Sequence, residues 1–143
     1  VTSIGFLAPE LRRIEQCPAT VVAAFRFEER SPLRGLLSLV DWRLHGHLSR
    51  LIIDGFFVGS EQETLLIPLE NRLPQKDLLV CGLGGSPRPL GVLEFRAALE
   101  QLFASAVGLG HSELLISLPG RAEDHVETVK AVQWLLEAYE PCK

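Results

Sequence analysis

The sequence predicts a three-layer α/β/α fold built on a mixed sheet. Two observations carry that prediction. Short apolar runs rich in β-branched and aromatic residues alternate with longer stretches whose apolar residues recur every three to four positions, in the order β-β-α-β-β-α-β-α. Several of the short runs are continuously apolar rather than alternating, as strands covered on both faces must be. A length of 143 residues, 47% hydrophobic and 22% charged, suffices for one core. No internal repeat, low-complexity run or linker divides it, so residues 1–143 read as a single domain.

Each element has its own local warrant. The apolar run Thr2 to Leu7 is a candidate first strand beside Thr20 to Phe27, which is β-branched and aromatic and ends at Glu28-Glu29-Arg30. Ser31-Pro32 reads as an N-cap followed by proline in the first turn. From there Leu33, Leu36, Leu37, Val40, Leu44, Leu48 and Leu51 fall on one side of a helical period, predicting one amphipathic helix that ends at Asp54-Gly55. Thr64 to Leu69 and Asp77 to Leu83 are bounded by turn residues and read as buried strands, Pro68 marking the end of the first. A second helix carries Val92, Phe95, Leu99, Leu102, Phe103 and Ala106 and stops at Gly108 or Gly110. Glu113 to Leu118 is the last strand, closed by Pro119-Gly120, and a final helix from Ala122 to about Glu140 buries Val126, Val129, Val132, Leu136 and Tyr139.

Composition excludes some functions. The formal charge is −4, and Arg12-Arg13 is the only adjacent basic pair, so no electrostatic footprint for nucleic acid or an anionic membrane is expected. No apolar run approaches the roughly 20 residues that span a bilayer. The start shows no basic or long apolar signal segment, and it does not begin with Met, which suggests an altered or incomplete start. Cys17, Cys81 and Cys142 are odd in number and widely spaced. That pattern points to a reducing, cytoplasmic setting, with Cys81 a small buried hydrophobe.

The stretch from Val40 to Gly85 carries more. It contains Gly55-Phe56-Phe57-Val58-Gly59, then Glu63-Thr64-Leu65-Leu66-Ile67-Pro68, then Leu73-Pro74-Gln75-Lys76, then Val80-Cys81-Gly82-Leu83-Gly84. In order and wording these segments resemble the amino-terminal domain of leucyl aminopeptidases, the M17 family of metallopeptidases. The resemblance covers roughly Ala19 to Tyr139. It implies a macro-domain-like fold and a half of the enzyme that does no chemistry. The catalytic half of such enzymes holds two metal ions on Lys, Asp and Glu ligands and carries the motif N-T-D-A-E-G-R, none of which occurs in these 143 residues.

Little else in the chain has the pattern of a reactive site. Gly82-Leu83-Gly84-Gly85-Ser86 follows a strand and precedes a helix, a position where backbone N–H groups can hold a phosphate. Pro87 occupies the place of the third glycine in G-x-G-x-x-G, so a tight structural turn is the expected reading. The alternative is an anion site on Gly82, Gly84, Gly85 and Ser86. His45 and His47 project about 200° apart on a helix and cannot readily share a metal ion, and Asp41, one turn before His45, is its expected surface partner. His111 and His125 flank turns without ligand spacing. No metal site and no cofactor are expected. G-x-S-x-G and H-E-x-x-H are absent. Glu123 and Asp124 suit the first turn of the last helix electrostatically.

Trp42 shares a helical face with Ser38, His45 and Ser49, and Trp134 with Glu127, Lys130 and Glu137. Such rings are either covered internally or form an interface, where tryptophan is enriched. Three functions compete on what the resemblance implies. The leading one is a non-catalytic interaction or assembly module whose partner is a protein, either a second copy or a peptidase-like polypeptide, with Trp42 and Trp134 as interface residues. The second is a macro-like module for a nucleotide or ADP-ribose-type anion. The third is the front piece of a full zinc aminopeptidase. No nucleic-acid or membrane partner is expected.

Overall fold

The computed structural model describes residues 10–28, 32–119 and 133. Within them the chain runs α1 (Leu11–Gln16), β1 (Val21–Arg26), α2 (Gly35–Arg43), α3 (His47–Ile53), β2 (Thr64–Pro68), β3 (Asp77–Gly82), α4 (Val92–Gly108) and β4 (Leu114–Ile116). The strands form one sheet in the order β2-β3-β1-β4. β1 is parallel to both of its neighbours, with Val21 opposite Asp77 and Leu114, while β2 runs antiparallel to β3. The sheet is mixed, as the sequence predicts.

Strand periodicity divides the core into two layers. Val22 and Ala24 of β1, with Leu78 and Val80 of β3, point to the face covered by Ile14 of α1, Leu36, Leu37 and Val40 of α2, and Leu48 and Ile52 of α3. Val21, Ala23 and Phe25, with Leu79 and Cys81, point to the opposite face, where Phe95, Leu99, Leu102 and Ala106 of α4 cover them. All six residues of β1 and of β3 are buried, which is why both strands read as near-continuous apolar runs, interrupted only by Arg26 at the end of β1 and Asp77 at the start of β3. β2, at the sheet edge, alternates buried and exposed positions.

Several elements differ from expectation. The single helix predicted between Ser31 and Asp54 is two helices, because His45 and Gly46 both take positive φ (54° and 78°) and break the hydrogen-bond ladder. Gly46 lay inside an otherwise helical pattern, and that was the available signal. α2 also starts later, at Gly35, with Arg34 rather than Ser31 at its N-cap; φ of 59° at Gly35 turns the chain into the helix. In α4, Val92 is exposed rather than in the stripe. α1 has no counterpart in the periodicity. It is held by the buried Gln75, whose side-chain amide donates to the carbonyls of Ile14 (2.8 Å) and Cys17 (3.2 Å). Gly55, with φ of 79°, follows α3 in the left-handed conformation expected there. The candidate strand Thr2 to Leu7 and the final helix, with Trp134 and His125, lie outside the described residues.

Candidate functional site

At the carboxyl ends of the parallel strands, the glycine-rich loop sits beneath the connection from α3 to β2. β3 ends at Gly82, and a Cβ there would lie 2.0 Å from the carbonyl oxygen of Ser60 and 2.6 Å from that of Gly59. Gly59 itself passes so close to Phe27 that its own Cβ would meet that carbonyl at 2.5 Å. Two backbones therefore cross in contact, and only glycine permits it. The crossing segment is fixed by Glu63. Its Oε1 accepts from the N–H groups of Val58 (3.1 Å), Gly59 (2.8 Å) and Ser60 (3.1 Å), so an internal carboxylate fills an anion-binding nest of backbone donors.

The same packing engages the loop's own donors. The N–H groups of Gly82, Leu83 and Gly84 donate to the carbonyls of Glu63, Arg26 and Gly59 at 2.8, 2.8 and 2.9 Å. Arg88 closes the far side by donating to the carbonyls of Gly84 (2.6 Å) and Ser86 (3.3 Å). It also pairs with Glu94 and lies over the Phe27 ring at 5.4 Å. Gly85 and Ser86 are the exposed members of the loop. A cleft of about 410 Å³ borders Gly82, Arg88, Glu61 and Gln101.

A second locus is the turn between α2 and α3. Asp41 is buried and does not serve His45 as expected. Its Oδ1 accepts from the N–H groups of Leu48 (2.9 Å) and Ser49 (3.4 Å), and its Oδ2 from the Ser49 hydroxyl. This carboxylate thus caps α3 across the break, a task that exists only because the helix is broken. Arg50 donates to the carbonyl of His45 at 3.0 Å and Arg72 to that of Leu44 at 3.4 Å. Beside this clamped turn Trp42 is 74% exposed, and with Arg43, His45 and Arg72 it lines a cleft of about 640 Å³.

A third cluster escaped the sequence reading. His111 is buried, with Nε2 3.0 Å from Asp77 Oδ2 and Nδ1 2.7 Å from Thr20 Oγ1. A hydroxyl, an imidazole and a carboxylate in line have the form of a catalytic relay. Their place argues for structure: Thr20 precedes β1, Asp77 begins β3 and His111 precedes β4, all at the amino ends of parallel strands. Ligands of open α/β sheets bind outside the carboxyl ends. With sequence separations of 91 and 34, no local signal could have joined these residues.

Cys81 is buried in β3 opposite Thr64, as the apolar run implied. Burial pushes its thiol up to about 11 from an ordinary 9.0, against a smaller lowering by a Thr64 hydrogen bond. The folded chain therefore keeps a proton that the unfolded chain releases above about pH 9. The stability this contributes is complete below pH 9 and is lost as pH rises through about 11, amounting to roughly 3 kcal/mol at ~1.4 kcal/mol per unit. Urea midpoints of wild type and Cys81→Ala should converge in that window. Parallel pH profiles would contradict the assignment. Among the described residues, no three His, Cys, Asp or Glu side chains gather as a metal ion would require, and His45 and His47 are both exposed.

The sequence profile of the cytosol aminopeptidase family's N-terminal domain, in peptidase family M17, matches residues 21–140. A probable cytosol aminopeptidase of Syntrophotalea carbinolica is 35% identical over 109 residues, covering 71% of this chain and 20% of that protein. The chain thus spans about a fifth of the length of the curated relative it matches. The macrodomain of Mycobacterium tuberculosis DarG is similar in fold, with a TM-score of 0.63 at 10% identity over 90% of this chain and 86% of that one. A mutant form of tomato leucine aminopeptidase is similar with a TM-score of 0.52 at 21% identity, over 73% of this chain and 22% of that one. At these identities the two structures speak to fold alone, and the fold is macro-like.

Proposed function

This chain belongs to the cytosol aminopeptidase family through the family's N-terminal domain, and on that premise we propose that it is a non-catalytic interaction module that assembles with protein partners in the cytoplasm. The observation that carries the reading is Trp42, a large ring 74% exposed at the end of α2, beside a turn held by three side chains. Tryptophan is enriched among interface hot spots, and a rigid support lowers the ordering cost of using one. Any aminopeptidase reaction belongs, in this reading, to other parts of the proteins that carry such a domain. Sedimentation over a range of concentrations should show association that Trp42→Ala abolishes without moving the melting temperature. The same preparations should not hydrolyse a chromogenic leucine amide. A monomer at every concentration would sink self-association, and chelator-sensitive hydrolysis proportional to protein would sink the non-catalytic reading.

The macro-like fold favours a second reading, a site for a nucleotide or ADP-ribose-type anion on Gly82, Gly84, Gly85 and Ser86. Against it, the N–H groups of Gly82 and Gly84 already have carbonyl partners. Titration with ADP-ribose is expected to leave the amide resonances of Gly85 and Ser86 without saturable shifts. Shifts at micromolar affinity would reverse the order of the two readings.

A further inference from the structure

We propose that the cleft beside Trp42 docks an acidic peptide segment of a protein partner, with a carboxylate against Arg43 and Arg72 and an apolar or aromatic side chain against the indole. The inference rests on the interaction-module reading and supplies the chemistry of the partner. The cleft, at about 640 Å³, has the size of a site that takes a few side chains. Arg43 and Arg72 are matched in number by Asp41 and Glu15, but both carboxylates are already engaged. Of the carboxylates at hand, Asp41 is buried on the amides of α3 and Glu15 is paired with Arg43. That leaves Arg72, bonded to the Leu44 carbonyl, as the guanidinium that no carboxylate among the described residues balances, on a chain whose formal charge is −4.

Both guanidinium groups have donors to offer. A guanidinium has five N–H donors, whereas Arg72 gives one nitrogen to Leu44 and Arg43 one to Glu15. Arginine binds a carboxylate through two parallel bonds, and a flat indole beside it accepts an apolar side chain at small entropic cost. The clamps from Asp41, Arg50 and Arg72 hold the turn in place before anything binds, so little ordering remains to oppose association. Nucleic acid is the weaker match, since it needs neutralisation along many phosphates and meets an acidic protein outside this one cleft.

The test uses the full chain and an acetylated, amidated pentapeptide, Glu-Glu-Phe-Asp-Glu, against its neutral counterpart Gln-Gln-Phe-Asn-Gln. The Trp42 indole N–H resonance, assigned by its loss in Trp42→Phe, should shift saturably with the acidic peptide. The neutral peptide should bind at least tenfold more weakly. Arg72→Gln and Arg43→Glu should each lower affinity for the acidic peptide at least fivefold, with the amide spectrum outside the α2–α3 turn unchanged as proof that the fold is retained. Equal binding of the two peptides, no shift, unchanged affinity in both arginine variants, or tighter binding of a single-stranded oligonucleotide would overturn the proposal. If the peptide fails while Trp42→Ala still abolishes association, acidic docking is wrong and the interaction module stands. If the peptide binds and the chain never associates, self-association alone falls.

Discussion

Gly82→Ala should lose about 3 kcal/mol or more of stability, a fall in melting temperature of roughly 10 °C for a domain of this size. The new methyl would sit 2.0 Å from the Ser60 carbonyl oxygen and 2.6 Å from both the carbonyl carbon and oxygen of Gly59. All three are backbone atoms, so no rotamer change relieves the clash. The segment that would have to move is also tied down, by Glu63 through the N–H groups of Val58, Gly59 and Ser60. Lifting it would break these charge-assisted bonds and the bond from Gly84 N–H to the Gly59 carbonyl. Gly108→Ala is the matched control. It lies at the end of α4, its Cβ would meet nothing within 4 Å, and it should be neutral or gain up to about 0.5–1 kcal/mol. Chemical denaturation of the two variants checks the argument. A Gly82→Ala protein within 1 kcal/mol of wild type would show that the crossing is looser than its geometry.

The layers of this fold were legible because β1 and β3 are buried on both faces and α4 on one, and burial of that kind writes itself into local apolar patterns. The Val40–Gly85 segments, together with their order, were legible as a family resemblance. What stayed hidden depends on contacts distant in sequence or on backbone conformation. α1 is held by Gln75 from 61 and 58 residues away, so its own six residues carry no sufficient period. The break at His45-Gly46 looks helical in side-chain pattern, since Leu44 and Leu48 both remain buried on either side of it. Asp41 could be read only as a helix-surface acid until the break created free amides for it to cap. Trp42 was placed correctly on the polar side of its helix, yet its two arginine neighbours in the cleft come from separate elements, and Arg72 joins only through the fold.

His111→Ala is expected to cost about 3–4 kcal/mol, more than a buried histidine of similar contact area would lose by truncation alone. The reason is the partner left behind. Asp77 sits with its carboxylate 12% exposed and its Oδ2 on His111 Nε2 at 3.0 Å, and that oxygen can only accept, so Nε2 carries the proton. In the neutral ring Nδ1 then accepts from the Thr20 hydroxyl at 2.7 Å; in the charged ring it donates to it. Either way one side chain ties together the entrances of β3, β1 and β4, adjacent strands in the sheet. Removing it strands a carboxylate in a site that water barely reaches. Thr20→Val should cost only about 1–2 kcal/mol, because it removes the hydroxyl's contacts with His111 Nδ1 and the Glu113 carbonyl and leaves the His111–Asp77 bond in place. The double variant His111→Ala/Asp77→Ala should lose clearly less than the sum of its two single variants, since each single change strands the other group. Urea unfolding with an unchanged slope provides all four numbers. Strict additivity, or a His111→Ala cost below 1 kcal/mol, would mean that the carboxylate finds water without the imidazole and that the sheet is held at that end by backbone pairing alone.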